Sequence, residues 1–162
     1  MAELTVLEEK IGEVIGLAMA AKVATEKVAK LPDAEEAETL LNKMNKEATE
    51  TEERGTSLVD SMEGRKTAIL DKARETKSKA GEMLKTYIDD DADALDGFEF
   101  LTMAEAGELG HWKVLGRLAQ KAGNQQIVDL TEWAIPIQER HFSDSQNTSL
   151  ELADDEDPDD VS

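Results

Sequence analysis

The chain holds two histidines, His111 and His141, and each follows a potential oxygen donor by three residues: Glu108-x-x-His111 and Gln138-x-x-His141. Residues three apart share one face of a helix. Glu105 lies one turn before Glu108 and adds a second carboxylate. Carboxylate, amide oxygen and imidazole together suit iron, manganese or zinc. With no cysteine in the chain, thiolate-held zinc, iron–sulfur clusters and disulfides are excluded.

These residues need helices to converge. On a helical wheel, Leu101, Ala104, Trp112, Leu115, Ala119 and Ala122 form one apolar stripe. Glu108 falls at its centre, with Glu105 and His111 roughly 60° to either side. A carboxylate in the middle of a buried face is costly unless it is paired or metal-bound. Downstream, Ile127, Leu130, Ala134 and Ile137 set a second stripe that carries Gln138 and His141. The chain turns at Gly123-Asn124 between the two stripes. Antiparallel pairing across that turn brings 138 and 141 level with 105 and 108.

Two further helices precede this hairpin. The first is expected from about Thr5 to Leu31, with Leu4, Leu7, Ile11, Val14, Ile15, Ala18 and Ala21 on one face. Leu31-Pro32-Asp33 ends it, and Asp33 is the expected N-cap of the next. The second helix spans about Ala34 to Met62. Its stripe fades in the middle, where Glu47, Thr51, Glu52 and Gly55 occupy inward positions. Glu63 to Ile88 reads as a solvated helical crossover with a thin apolar face of Ile69, Leu70, Met83 and Leu84. Asp89-Asp90-Asp91 is the expected acidic start of the third main helix, Ala92 to Ala122. The fourth should run from Gln125 to Phe142, with a kink or early break at Pro136. No β-hairpin signal is present.

The fold class is therefore all-α, a four-helix bundle with a helical crossover between the second and third main helices. Residues 1–143 form the bundle. Residues 144–162 are expected as a disordered acidic tail, since eight acids and no Lys or Arg lie between Ser143 and Ser162.

The net charge of -19 disfavours nucleic acid and favours cations. The segment Arg65 to Lys85 runs against that trend, with seven basic residues and three acidic ones. The N-terminal segment lacks the positive charge of a signal peptide, and no apolar run is long enough to span a membrane. The expected location is the cytoplasm.

The stretch EFLTMAEAGELGHWKVLGRLAQKAGNQQIVDLTEWAIPIQERHF resembles the second half of a ferritin-like protein. Gln138-Glu139-Arg140-His141 is similar to the Glu-Glu-Arg-His run common on the last helix of that superfamily. Ala104 to Gly123 resembles the third helix of the bacterial ferritin-like stress proteins. This resemblance implies a ferritin-like bundle binding one or two metal ions, iron or manganese, with activity in iron or oxidant handling under stress. It also implies pairing into a homodimer or other homo-oligomer. Val6, Val114 and Ala24, off the main stripes, are a candidate pairing face.

The ligand candidates are Glu108, Glu105, His141, His111 and Gln138, joined by Glu52 from the second helix and Glu8 from the first. Glu108, being central, is the candidate bridge between two metals. The chain departs from the family pattern in three places. Gln138 replaces a ligand carboxylate. The second helix has no histidine, only Glu47 and Glu52, with Gly55 where His is expected. Lys22 faces inward, where an ammonium would substitute for a metal's charge. The competing expectation is a non-catalytic interaction protein of the same fold, its metal site replaced by a buried network closed by Lys22 or an Arg.

Overall fold

A computed structural model describes residues 3–161. Among them are five α-helices and no strand: α1 (Val6–Ala29), α2 (Glu38–Asp60), α3 (Lys66–Tyr87), α4 (Ala94–Ala122) and α5 (Gln125–Asp154). A single 3-10 turn, Glu35–Ala37, leads into α2. No helix among the described residues is long and apolar enough to cross a membrane.

Local chemistry sets the ends. Thr5 caps α1 and Glu8 reaches back to the Thr5 amide, a capping box that satisfies two otherwise free N–H groups. Asp93 and Asp96 do the same for α4. The cap of α4 thus lies two residues beyond the expected Asp89–Asp91 run. Asp33 does not cap the second helix. It takes a left-handed conformation with φ 68° in the turn after Pro32, a conformation that Asp tolerates better than most residues. Gly123, also at φ 68°, closes α4 as expected, and the Asn124 side chain accepts from the Ile127 amide to start α5.

α1 is the central strut. α2 returns antiparallel to it: Asn45 donates to the Lys22 carbonyl near one end, and Gly55 meets Ile15 further along. The fading stripe of α2 has a steric reason. Thr51 and Gly55 are buried there, and a Cβ on Gly55 would lie 2.7 Å from Ile15 Cγ1. Small residues let the two axes approach where large apolar ones would not fit.

α3 connects the end of α2 to the start of α4, as the crossover reading required. It is less solvated than expected. It runs parallel to α1, burying Ile69, Ala73 and Leu84, while Met83 stays half-exposed. Gly12 and Gly16 of α1 form the seam: their added Cβ atoms would come within 2.8 Å of the Ile69 carbonyl oxygen and 2.3 Å of the Ala73 carbonyl oxygen. α3 is thus a packed fifth helix, although its outer face carries the ion pairs Arg74–Asp71 and Lys79–Glu75.

α4 begins where α1 ends, with the Ala94 amide bonded to the Pro32 carbonyl, and runs back along α1. α5 is antiparallel to α4 and crosses α2 in the order Trp133–Arg54, His141–Glu47, Ser145–Met44. Pro136 does not end α5. The helix also continues past the expected end at Phe142 and the expected boundary at 143/144, reaching Asp154. Packing explains the extension: Ser145 is fully buried beside Met44, and Leu152 rests on the second core cluster. Of the candidate pairing residues, Val6 and Val114 are exposed but Ala24 is buried.

Two apolar clusters flank the middle of the molecule. One joins Ile11, Ile15, Val59, Ile69, Trp112, Leu115 and Ile127. The other joins Val28, Leu41, Leu84, Phe98 and Leu101. The buried polar residues of α4 and α5 fall between them in sequence.

Candidate metal centre

Glu105 and Glu108 on α4, and Gln138 and His141 on α5, are all buried, none more than 3% exposed. Their helices reach this register because the α4–α5 turn is short and tightly capped, so positions equidistant from Gly123 face each other. His141 Nδ1 lies 3.7 Å from Glu105 Oε2, an ion-pair separation. His141 Nε2 lies 3.2 Å from Glu47 Oε1 of α2. The imidazole is therefore held between two carboxylates. Arg140 Nη2 binds the other oxygen of Glu47.

These contacts set the protonation. Burial opposes a charge on His141, but Glu105 and Glu47 outweigh it and raise its pKa above the usual 6.5. Burial would also raise Glu47. The bonds from Arg140 and His141 overcome that, and its carboxyl is held below the usual range. Glu108 goes the other way. Burial first, then the charge of Glu105, push it well above 4.5, against a smaller opposing influence of the Trp112 indole.

The centre is incompletely satisfied. Glu105 Oε2, Glu108 Oε1 and Gln138 Oε1 are buried acceptors without a hydrogen-bond partner, and Trp112 Nε1, one turn from Glu108, is a buried donor without one. Orphaned buried oxygens are uncommon, and each costs about 1–3 kcal/mol. Glu105 Oε2 has the His141 ring 3.7 Å away, which leaves Glu108 Oε1 and Gln138 Oε1 as the acceptors most open to a bound positive group.

The remaining sequence candidates lie elsewhere. His111 is substantially exposed. Its Nδ1 lies 2.8 Å from the Gly107 carbonyl, and its Nε2 lies 3.5 Å from Glu13 Oε2 on α1. Glu52 pairs with Lys22 at 3.0 Å in a partly exposed bridge, so Lys22 does not enter the centre. Glu8 is fully engaged by Arg65 and by the Thr5 amide. Those bonds, that of Arg65 foremost, lower its pKa to about 2. It anchors the start of α3 to the start of α1.

The residue that sequence reasoning undervalued is Glu47. It lies three residues after buried Met44 and four before buried Thr51, so its spacing placed it near the inner face. Gly55 drew attention to Glu52 instead. The Arg140 contact had no sequence signal beyond its place next to His141. Among the described residues, no three His, Cys, Asp or Glu side chains stand in a ready metal-binding arrangement.

In comparisons with known proteins, no family model, curated protein or solved structure matches this chain.

Proposed function

We propose that this chain is a ferritin-like bundle that takes one divalent metal ion, iron or manganese, among Glu105, Glu108, Gln138 and His141. The observation that carries the reading is the set of three buried acceptors without donors on Glu105, Glu108 and Gln138. The helix order supports it. Two antiparallel hairpins, α1–α2 and α4–α5, are joined by a crossover that runs the length of the bundle. The donor set of two carboxylates, an amide oxygen and an imidazole fits iron or manganese. A bound ion of either kind would supply one-electron redox chemistry, which is where the resemblance to ferritin-like stress proteins places iron or oxidant handling.

The chain's own residues set the terms of binding. Ligands must be deprotonated to coordinate. Glu105 and Glu47 raise the His141 pKa, and burial followed by the charge of Glu105 raises that of Glu108. Both shifts favour the protonated form, so binding competes with protons and weakens as pH falls. Glu47 keeps its partner Arg140 and orients the imidazole from the far side. Glu52, Glu8 and His111 have other partners and are not part of this reading.

A second reading rests on one observation, the Glu47–His141–Glu105 arrangement with Arg140. It supplies internal cations to two of the carboxylates. In that reading the centre is structural, and the protein acts through its surface.

Calorimetric titration of metal-free protein with Fe(II) without oxygen, and with Mn(II), separates the two. About one equivalent should bind, with proton release that differs between buffers of unlike ionisation enthalpy. Glu108→Ala should abolish it, and Glu52→Ala should not. Folded wild-type protein that takes up neither ion would defeat the metal reading and leave the structural one.

A further inference from the structure

A second feature also includes Glu108. α1, α3 and α4 enclose a pocket of about 110 Å³, and its lining is almost wholly apolar. Ala21 and Ala24 of α1, Gly81 and Leu84 of α3, and Phe100 and Ala104 of α4 form its walls. The space has a sequence cause. α3 packs on α1 closely at Gly12 and Gly16, but further along both helices carry small side chains with no bulk to fill the gap. Exposed Lys77 is among the lining residues, and the pocket is partly open to solvent.

The most buried lining residue is Glu108, 3% exposed. Its Oε1 is without a partner. An apolar recess with one orphaned polar group at its base is the arrangement of small-molecule sites, where apolar walls bind and a single polar group orients.

We propose that this pocket binds a small hydroxyl-bearing amphiphile, a phenol or short alcohol, with its hydroxyl on Glu108 and its apolar body against Ala24, Leu84 and Phe100. Size sets the body. A cavity of roughly 150 Å³ holds benzene, and this slightly smaller recess is open at the rim, so a six-membered ring fits with part of its edge in water. The polar end follows from Glu108. A hydroxyl both donates and accepts, so it satisfies Oε1 whichever protonation state the carboxyl holds. A charged ammonium would have to be stripped of water among apolar walls, which is expensive. A hydrocarbon would leave Oε1 as it is. The proposal draws on the same Glu108 oxygen as the metal reading, so its test uses chelator-treated protein, in which the two are read apart.

The experiment is calorimetric titration of the metal-free full chain with phenol, toluene and benzylamine. Phenol should bind with a dissociation constant of about 1 mM or tighter, in line with a ligand of so few atoms. Toluene should bind about tenfold more weakly, the equivalent of one hydrogen bond to an otherwise unsatisfied group. Glu108→Leu should bring phenol down to the level of toluene. Gly81→Leu, whose Cβ would meet nothing within 4 Å, should abolish binding of both by filling the recess. Helicity by circular dichroism confirms that each variant is folded. Absence of phenol binding to folded wild-type protein overturns the proposal. So does equal binding of phenol and toluene that ignores Glu108→Leu, or benzylamine binding above phenol, which would make the site a cation site.

Discussion

Replacing Glu108 by Leu should make the metal-free protein more stable. In the folded state this side chain is 3% exposed, its Oε1 has no donor, and Glu105 lies close enough to disfavour its ionisation. Unfolding returns the carboxyl to water, where it ionises near 4.5. The orphaned oxygen alone costs about 1–3 kcal/mol, and Leu is of similar volume and suits the flanking stripe of Leu101, Trp112 and Leu115. A gain of about 1–3 kcal/mol at pH 7 is therefore expected, or about 2–4 °C in Tm per kcal/mol for a chain of this length. The sign of the pH dependence is a sharper check. A carboxyl whose folded pKa is raised binds more protons folded than unfolded above pH 4.5. Wild-type stability then falls as pH rises from 4.5 toward the folded pKa. Glu108→Leu lacks that slope, so its advantage should grow with pH. Urea unfolding of chelator-treated protein at pH 5, 7 and 8.5 reads both quantities. A variant less stable than wild type by more than about 1 kcal/mol, or an advantage that shrinks as pH rises, would show that Glu108 has a partner in the apo fold.

Two other substitutions probe the packing around the centre. His141→Ala should destabilise by about 3–5 kcal/mol, because it strips Glu105 and Glu47 of their shared buried cation. The raised imidazole pKa makes that stabilisation complete below pH 6.5 and lost as pH rises through the folded value. The penalty in urea unfolding should thus be larger at pH 6 than at pH 9. Gly16→Ala drives a Cβ to 2.3 Å from the Ala73 carbonyl oxygen and should cost about 1–3 kcal/mol by separating α1 from α3. Exposed Gly110, whose Cβ would meet nothing within 4 Å, provides the control: Gly110→Ala should gain about 0.5–1 kcal/mol in helix propensity. Equal effects in thermal melts would discount the close α1–α3 seam.

Sequence alone determined the helical class, the approximate positions of the helices and the burial of Glu105, Glu108, Gln138 and His141. Apolar spacing along a helix is a local property, and so is the turn at Gly123-Asn124 that sets Glu105 and Glu108 against Gln138 and His141. Caps are local too, yet Asp33 shows the limit: a residue fit to cap was needed for a left-handed turn. Tertiary structure decided what depends on neighbours distant in the chain. Glu47 and Glu52 have the same chemistry, and only the placement of α2 between Lys22 of α1 and Arg140 and His141 of α5 separates them. α3 looks solvated by its Lys and Arg content, yet two glycines on α1 bring it into the core. α5 outruns its apolar stripe because Met44 and the second core cluster receive Ser145 and Leu152. In each case the deciding energy is a contact made across helices, which the pattern along any single helix does not carry.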